Sequence, residues 1–485
     1  MTAHISPTLE QFREFAQRGN VVPVFAEFVA DGETPISAFQ KLSGATCSFL
    51  FESTEKNDVS GRFSFVGSDP RLIVQSFGRE IRVIDPAGEQ RFAAAEDPLD
   101  ELQKLMARYQ LAARDDLPRF AGGAVGFLGY EAVKFFEPSV PVAERDELQL
   151  PELLFMLTRS VLVFDHRLRT LKVIVNAFVE DGPLEKVYTR AAEAIGEIVR
   201  RLAQPTELPF VTNVAAEAVA SQSNFGRDEF ESAIEQAKEY IRAGDVYQVV
   251  LSQRFEASFA GDALGFYRCL RFINPSPYMF CLKLGDFALV GSSPEMHVRL
   301  AGDGIDIRPI AGTRPRGATD AEDARNAVEL LADDKERAEH VMLVDLARND
   351  IGRVAEFGSV RVSEFMQIER YSHVMHIVSN VVGRLRRECT AFDLIKATFP
   401  AGTVSGAPKI RAMQIISELE KTRRGCYAGA IGYIGFDGKL DSCIALRSAV
   451  LKNGKAYFQA GAGIVADSDP RREYEETLSK AGAMA

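Results

Sequence analysis

The order of apolar and polar positions divides the chain into alternating strand-like and helix-like segments. Short apolar runs at 47–52, 63–66, 72–76, 81–84 and 123–128 predict strands. A run at 160–165 turns through Arg167 and Arg169 into 171–178 and predicts a hairpin. Over 183–203 the spacing becomes helical, with Leu184, Val187, Ala191, Ile195, Ile198 and Leu202 on one stripe. The Pro-, Thr-, Ala- and Ser-rich stretch 203–223 then reads as a linker. It divides the chain into an N-terminal domain, 1–212, and a second domain, 213–485.

The second part opens with a helix predicted over 227–242 and stopped by Gly244. Strands are predicted at 246–255, 278–284, 287–292, 297–300 and 305–310, then helices at 321–331 and 334–347. Hairpin signals at 429–436, 439–450 and 455–460 precede a final helix that Asp469 can cap and Pro470 can begin. No internal repeat is legible. The mixture predicts an α+β fold in which helices pack on large, mainly antiparallel sheets in two subdomains.

Composition changes this picture little. The chain has 485 residues, 46% apolar and 26% charged, as expected of a soluble globular protein. A net charge of −11 with no sustained basic run argues against nucleic acid and against an anionic membrane as partners. The six cysteines, at 47, 269, 281, 389, 426 and 443, have no ligand-like spacing and read as reduced thiols of a cytoplasmic protein. No signal peptide is evident, and no apolar run reaches the length of a bilayer. Tryptophan is absent altogether.

Chemistry enters with two acidic pairs, Glu336/Glu339 and Glu473/Glu476. Each pair is spaced three residues apart in a predicted helix, which puts both acids on one face. Taken alone, the spacing marks an ordinary solvated surface. If the fold brings the pairs together, four carboxylates need a cation or protons. With no Cys or His cluster nearby, the natural guest is Mg²⁺. The segment 309–317, with Gly312, Thr313 and two arginines, is suited to an anionic ligand. The loop 399–409 carries Gly402, Thr403 and Ser405 but lacks the spacing of a nucleotide-phosphate loop. Gly461, Ala462 and Gly463 end a predicted strand just before the last acidic helix. Arg447, flanked by apolar residues, calls for a carboxylate from the protein or from a substrate. Lys480 shares a helix face with Glu476. His376 sits in an apolar run near His373, and the pattern does not rank the two.

Taken in order, these motifs resemble the chorismate-utilising enzymes, nearest to the anthranilate-forming members. The matching segments are 244–254, 274–279, 292–295, 309–317, 339–350, 399–409 and 459–463, with a further match at Leu50-Phe51-Glu52-Ser53. The resemblance implies that Mg²⁺ holds the ring carboxylate of chorismate. Glu339 and Glu476 would be its ligands, with Glu336 and Glu473 acting through water. Tyr427, Arg447 and the Gly461–Ala462–Gly463 backbone would hold the enolpyruvyl carboxylate, and Gly312, Thr313, Thr403 and Lys480 would complete the pocket.

The implied reaction is attack of ammonia at C2 with loss of the C4 hydroxyl, followed by elimination of pyruvate to give anthranilate. Glu295 would be the general acid, which requires a raised pKa, and His376 would assist the elimination, with Thr313 beside it. Gln248 replaces the water-activating lysine of isochorismate-forming relatives. Ala311 replaces the nucleophilic lysine of many aminodeoxychorismate synthases. No glutaminase nucleophile is present, so a separate glutamine amidotransferase subunit is expected to supply ammonia within a hetero-oligomer. The family's L-tryptophan inhibitor site maps to Ser53, Asn274, Pro277, Tyr278 and Met279, with Phe51 where a leucine is common. Three alternatives remain: a synthase of 4-amino-4-deoxychorismate, a non-catalytic tryptophan sensor, and a two-metal phosphoryl-transfer enzyme that no phosphate loop supports.

Overall fold

The computed structural model describes residues 4–44, 46–53, 61–211, 220–371, 374–482 and 484. The expected domain boundary at 212/213, the middle of the linker and His373 lie outside the described residues. Two large sheets, of 13 and 12 strands and antiparallel throughout their pairings, face each other. Their facing sides share a core of Phe49, Phe65, Phe127, Leu154, Phe280, Leu282 and Ile431. Helices cover the outer faces. The helix Leu184–Leu202 buries Val187, Ala191, Ile195 and Leu202 of the predicted stripe against the larger sheet. Each large side chain so buried contributes about 1.5–3 kcal/mol. Among the described residues, no helix is long and apolar enough to cross a membrane. All six cysteines are free, and four are buried.

The strand order contains a repeat that the sequence hides. From its outer edge inward, the N-terminal half of the larger sheet runs Ile5–Ser6, Val21–Val29, Thr170–Phe178, Ser160–Asp165, Phe63–Ser68 and Cys47–Glu52. The C-terminal half runs Gln222–Ser223, Gln248–Ser258, Lys455–Ile464, Ser448–Lys452, Phe287–Ser293 and Tyr278–Leu284. In chain order both read first, second, sixth, fifth, fourth, third. The halves join where Met279 stands opposite Glu52. The other sheet has its own join, where Gly123–Leu128 pairs with Ala430–Gly435. Topology depends on which strands pair, and many apolar sequences satisfy the same pairing, so no residue period records it.

Two predicted strands differ from the observed ones. The run 305–310 is split into Gly304–Ile307 and Ile310–Pro315, both in register with Val374–Arg384, because Pro309 has no N–H for the ladder. The run 439–450 is not one strand. Leu440–Ile444 belongs to one sheet and Ser448–Lys452 to the other. Arg447 therefore lies in a crossing, with φ of +45°, and not within a strand. Its apolar neighbours are buried in that crossing, which gives the same sequence signature as a strand interior.

Candidate functional site

The larger sheet hands the chain to its neighbour between Phe287–Ser293 and Met296–Ala301, and Glu295 lies in that connection. The return passage carries Arg447. The two crossings are joined: Ile444 N donates to Glu295 O at 3.1 Å, and Ser292 N donates to Arg447 O at 3.0 Å. Sheet pairing thus joins the backbones of two crossings, one carrying an acid and the other a guanidinium, from remote parts of the chain.

Burial pushes the Glu295 carboxyl up to about 8, so it keeps its proton at neutral pH. The Thr403 hydroxyl beside it favours the charged form. Its oxygen is nevertheless buried without a well-formed hydrogen bond, leaving bonding capacity unmet in a cavity that Gly402 and Leu346 also line. Arg447 is half-buried, and burial holds its pKa below the ordinary arginine value. Among the described residues it forms no ion pair, and its Nη1 donates to Asn274 Oδ1 at 3.1 Å. No carboxylate among the described residues pairs with it, so the guanidinium is available to an anion.

His376 and Thr313 stand opposite each other on paired strands. His376 Nδ1 lies 2.9 Å from Gly312 O and 3.1 Å from Thr313 Oγ1. A carbonyl only accepts, so Nδ1 carries the proton and Nε2 is left as the basic nitrogen. Burial, aided by the nearby Arg447 charge, lowers the His376 pKa and keeps the ring neutral. Gly312 makes this contact from a bulge with φ of +71°, and a Cβ there would come within 3.2 Å of Glu336 Oε2.

The Gly461–Gly463 segment lies in the strand Lys455–Ile464, beside Gln248–Ser258. A Cβ on Gly461 would stand 2.9 Å from the Tyr427 hydroxyl, and one on Gly463 would stand 2.5 Å from Gln248 Nε2. That amide donates to Glu339 Oε1 at 3.0 Å. Gly463→Ala is therefore expected to push Gln248 off Glu339 and lower the turnover of whatever reaction this site performs at least tenfold, a loss of about 1.4 kcal/mol of transition-state stabilisation. Steady-state kinetics would measure it, and a wild-type rate would show that the wall tolerates a methyl group.

Glu336 and Glu339 lie on the helix Asp334–Gly352, and Glu473 and Glu476 on the helix Pro470–Gly482. Burial raises the Glu339 pKa, with Glu336 adding to it; burial also raises Glu473, with Glu476 adding to it. The charges of Lys335 and Lys480 oppose both shifts. Arg314 bonds Glu336 at 3.1 Å, and Lys480 bonds Glu476 at 2.7 Å and Gly461 O at 3.1 Å. Among the described residues, no three His, Cys, Asp or Glu side chains converge as metal ligands. The oxygen-only donor set and the like-charge strain on Glu339 and Glu473 fit a hard divalent cation.

A second cavity lies at the join of the two halves. Ser53, Pro277, Tyr278 and Met279 line it; Asn274 does not. Its walls include Phe51, Phe65 and Tyr433. Asp441 accepts from the Tyr278 hydroxyl at 3.1 Å and lies 3.3 Å from Arg299 and 3.5 Å from Arg119. Aromatic walls with charges of both signs suit an aromatic zwitterion.

Sequence reasoning missed Arg119, Arg299 and Asp441, which no motif connects. It also missed a buried pair, Arg424 and Glu420. Arg424 donates to Glu420 twice, to Val404 O at 2.7 Å and to Val250 O at 2.8 Å, and so pins the Thr403 loop to the larger sheet. The spacing of four residues was the only available signal, and it is common on solvated helices, whereas here the helix ends at Glu420 and Arg424 lies beyond it.

Comparison with known proteins agrees with this geometry. The chorismate binding enzyme family matches residues 48–485. The chain is 47% identical over 485 residues to anthranilate synthase component 1 of Acetivibrio thermocellus, covering 99% of this chain and 97% of the relative. It is 47% identical over 483 residues to the same component of Aquifex aeolicus, with coverage of 99% and 97%. The crystal structure of anthranilate synthase component I from Streptococcus pneumoniae matches with a TM-score of 0.79 at 38% identity, over 94% of this chain and 98% of that one.

Proposed function

The chain belongs to the chorismate-binding enzyme family, and on that premise we propose that it converts chorismate and ammonia to anthranilate and pyruvate under inhibition by L-tryptophan. The observation that carries this reading is geometric: Glu295 is buried in a cavity wall with Thr403, and His376 is fixed through Nδ1 by Gly312 O and Thr313, with Nε2 left basic. Glu295 is held protonated and His376 is held neutral, so acid and base coexist at neutral pH.

The steps follow from those states. Ammonia adds at C2, the ring double bonds shift and the C4–O bond breaks. Hydroxide is a poor leaving group, and the Glu295 proton lets it depart as water. His376 Nε2 then takes the C2 proton, the ring becomes aromatic, and the C3–O bond breaks to release enolpyruvate, which takes up a proton at its methylene carbon to become pyruvate. Arg447, Tyr427 and the Gly461–Gly463 wall hold the enolpyruvyl carboxylate. Gly312, Thr313 and Thr403 border the ring. Gln248 cannot deprotonate water, and Ala311 offers no covalent nucleophile, so direct amination at C2 is favoured. Mg²⁺ held by Glu339 and Glu476, with Glu336 and Glu473 supporting, would offset part of the charge of the four acids and attract the substrate's ring carboxylate. Ammonia would come from a separate glutamine amidotransferase subunit.

The aromatic cavity with Ser53, Pro277, Tyr278 and Met279 supports tryptophan as the regulator. The test is the purified chain with chorismate, Mg²⁺ and ammonium, followed by anthranilate fluorescence with and without tryptophan. A rise that tryptophan suppresses is expected. Chorismate loss without anthranilate would replace this reading with the 4-amino product. His376→Ala is expected to retain amination while slowing pyruvate release about 10²–10⁴-fold. Wild-type pyruvate release would remove His376 from the elimination.

A further inference from the structure

We infer that Asn274 is a positioning residue that aims Arg447 at the substrate anion and ties that aim to the occupancy of the aromatic cavity. The inference rests on the functional reading above and adds a route between its two sites. Three contacts carry it. Asn274 Oδ1 accepts from Arg447 Nη1 at 3.1 Å. Asn274 O accepts from the Ser292 hydroxyl. Ser292 N donates to Arg447 O at 3.0 Å.

These bonds close a triangle around the exposed end of the anion grip. Arg447 is held at φ of +45°, a left-handed conformation that is sterically costly for a non-glycine residue. The triangle compensates that cost. Its guanidinium lacks a carboxylate partner among the described residues, so the Asn274 carbonyl is the contact that orients it. Asn274 directly follows the helix Ala263–Ile273 and precedes Pro275-Ser276-Pro277. Two prolines fix φ in this short span, so displacement at one end is transmitted to the other. At the far end Pro277, Tyr278 and Met279 line the cavity. Met279 also stands opposite Ser292 in the sheet, which gives the cavity a second mechanical link to the triangle. A ligand seated against Pro277–Met279 biases the Asn274–Arg447 bond. By linkage, an anion on Arg447 biases the cavity equally.

Two variants separate orientation from folding. Asn274→Ala removes the acceptor. Asn274→Asp keeps its shape but sets a carboxylate against Arg447, which competes with the substrate. Both are expected to raise KM for chorismate about tenfold or more while kcat changes less than about threefold. The chain has no tryptophan of its own, so the anisotropy of the ligand's indole fluorescence reports binding without a protein background. Tryptophan is expected to bind both variants with near-wild-type affinity in the absence of chorismate, yet to inhibit them only weakly when saturating. An unchanged KM in both variants overturns the positioning role. Undiminished inhibition in both overturns the coupling. If wild type binds no tryptophan, the regulatory reading fails and the coupling with it, while the KM comparison still decides whether Asn274 aims Arg447.

Discussion

Glu295→Gln is expected to lower turnover of chorismate by about 10²–10⁴-fold, the usual range for loss of a general acid, with little change in KM. The substitution is nearly isosteric and uncharged. It reproduces the neutral state that burial already imposes on Glu295, so the fold should tolerate it. What disappears is the proton that the proposed mechanism gives to the departing C4 hydroxyl.

The pH profile makes the test specific. Glu295 works as an acid only while protonated, so wild-type activity should fall as pH rises through about 8. His376 works as a base only while neutral. Its pKa is depressed below the ordinary 6.5, so the acidic limb should appear below that value. Glu295→Gln should abolish the alkaline limb and leave the acidic one in place. A variant that keeps its alkaline limb would assign that titration to another group, and a variant with the wild-type rate would exclude Glu295 as the acid.

Arg424→Met is expected to destabilise the protein by about 3–5 kcal/mol, because it leaves the buried Glu420 carboxylate without its cation. The carbonyls of Val404 and Val250 lose a donor in the same step. The paired change Arg424→Met with Glu420→Leu removes both charges. It should recover much of the loss, though Ser252 N and Oγ then lose their acceptor at 2.8 Å. Urea unfolding of wild type, single and double variants measures the cycle. A single variant as stable as wild type would show that the pair contributes nothing to the fold. Even when folded, the single variant should turn over slowly, since Arg424 anchors the loop that carries Thr403 beside Glu295.

Much of the molecule was legible locally. The stripe over 183–203 became the helix Leu184–Leu202, and the pattern over 227–242 became Arg227–Arg242. Asp469 caps the last helix by accepting from Arg472 N at 2.9 Å. These features depend on residues within a turn or two of one another. Arg361–Arg370 was missed because it lies on an exposed edge, where neither face has to be apolar.

By itself the sequence determined the helix faces that carry Glu336, Glu339, Glu473 and Glu476, the glycine-rich segments around Gly312 and Gly463, and the absence of lysine at positions 248 and 311. Helical period, turn chemistry and side-chain identity are properties of neighbouring residues. Tertiary structure alone decided that Glu295 and Arg447 share paired crossings, that Asn274 holds Arg447, that Arg424 meets Val404, and that both halves of the large sheet have one strand order. Each of these depends on which remote strands pair and on how much water that pairing removes. The same pairing turns an ordinary glutamate into an acid that keeps its proton.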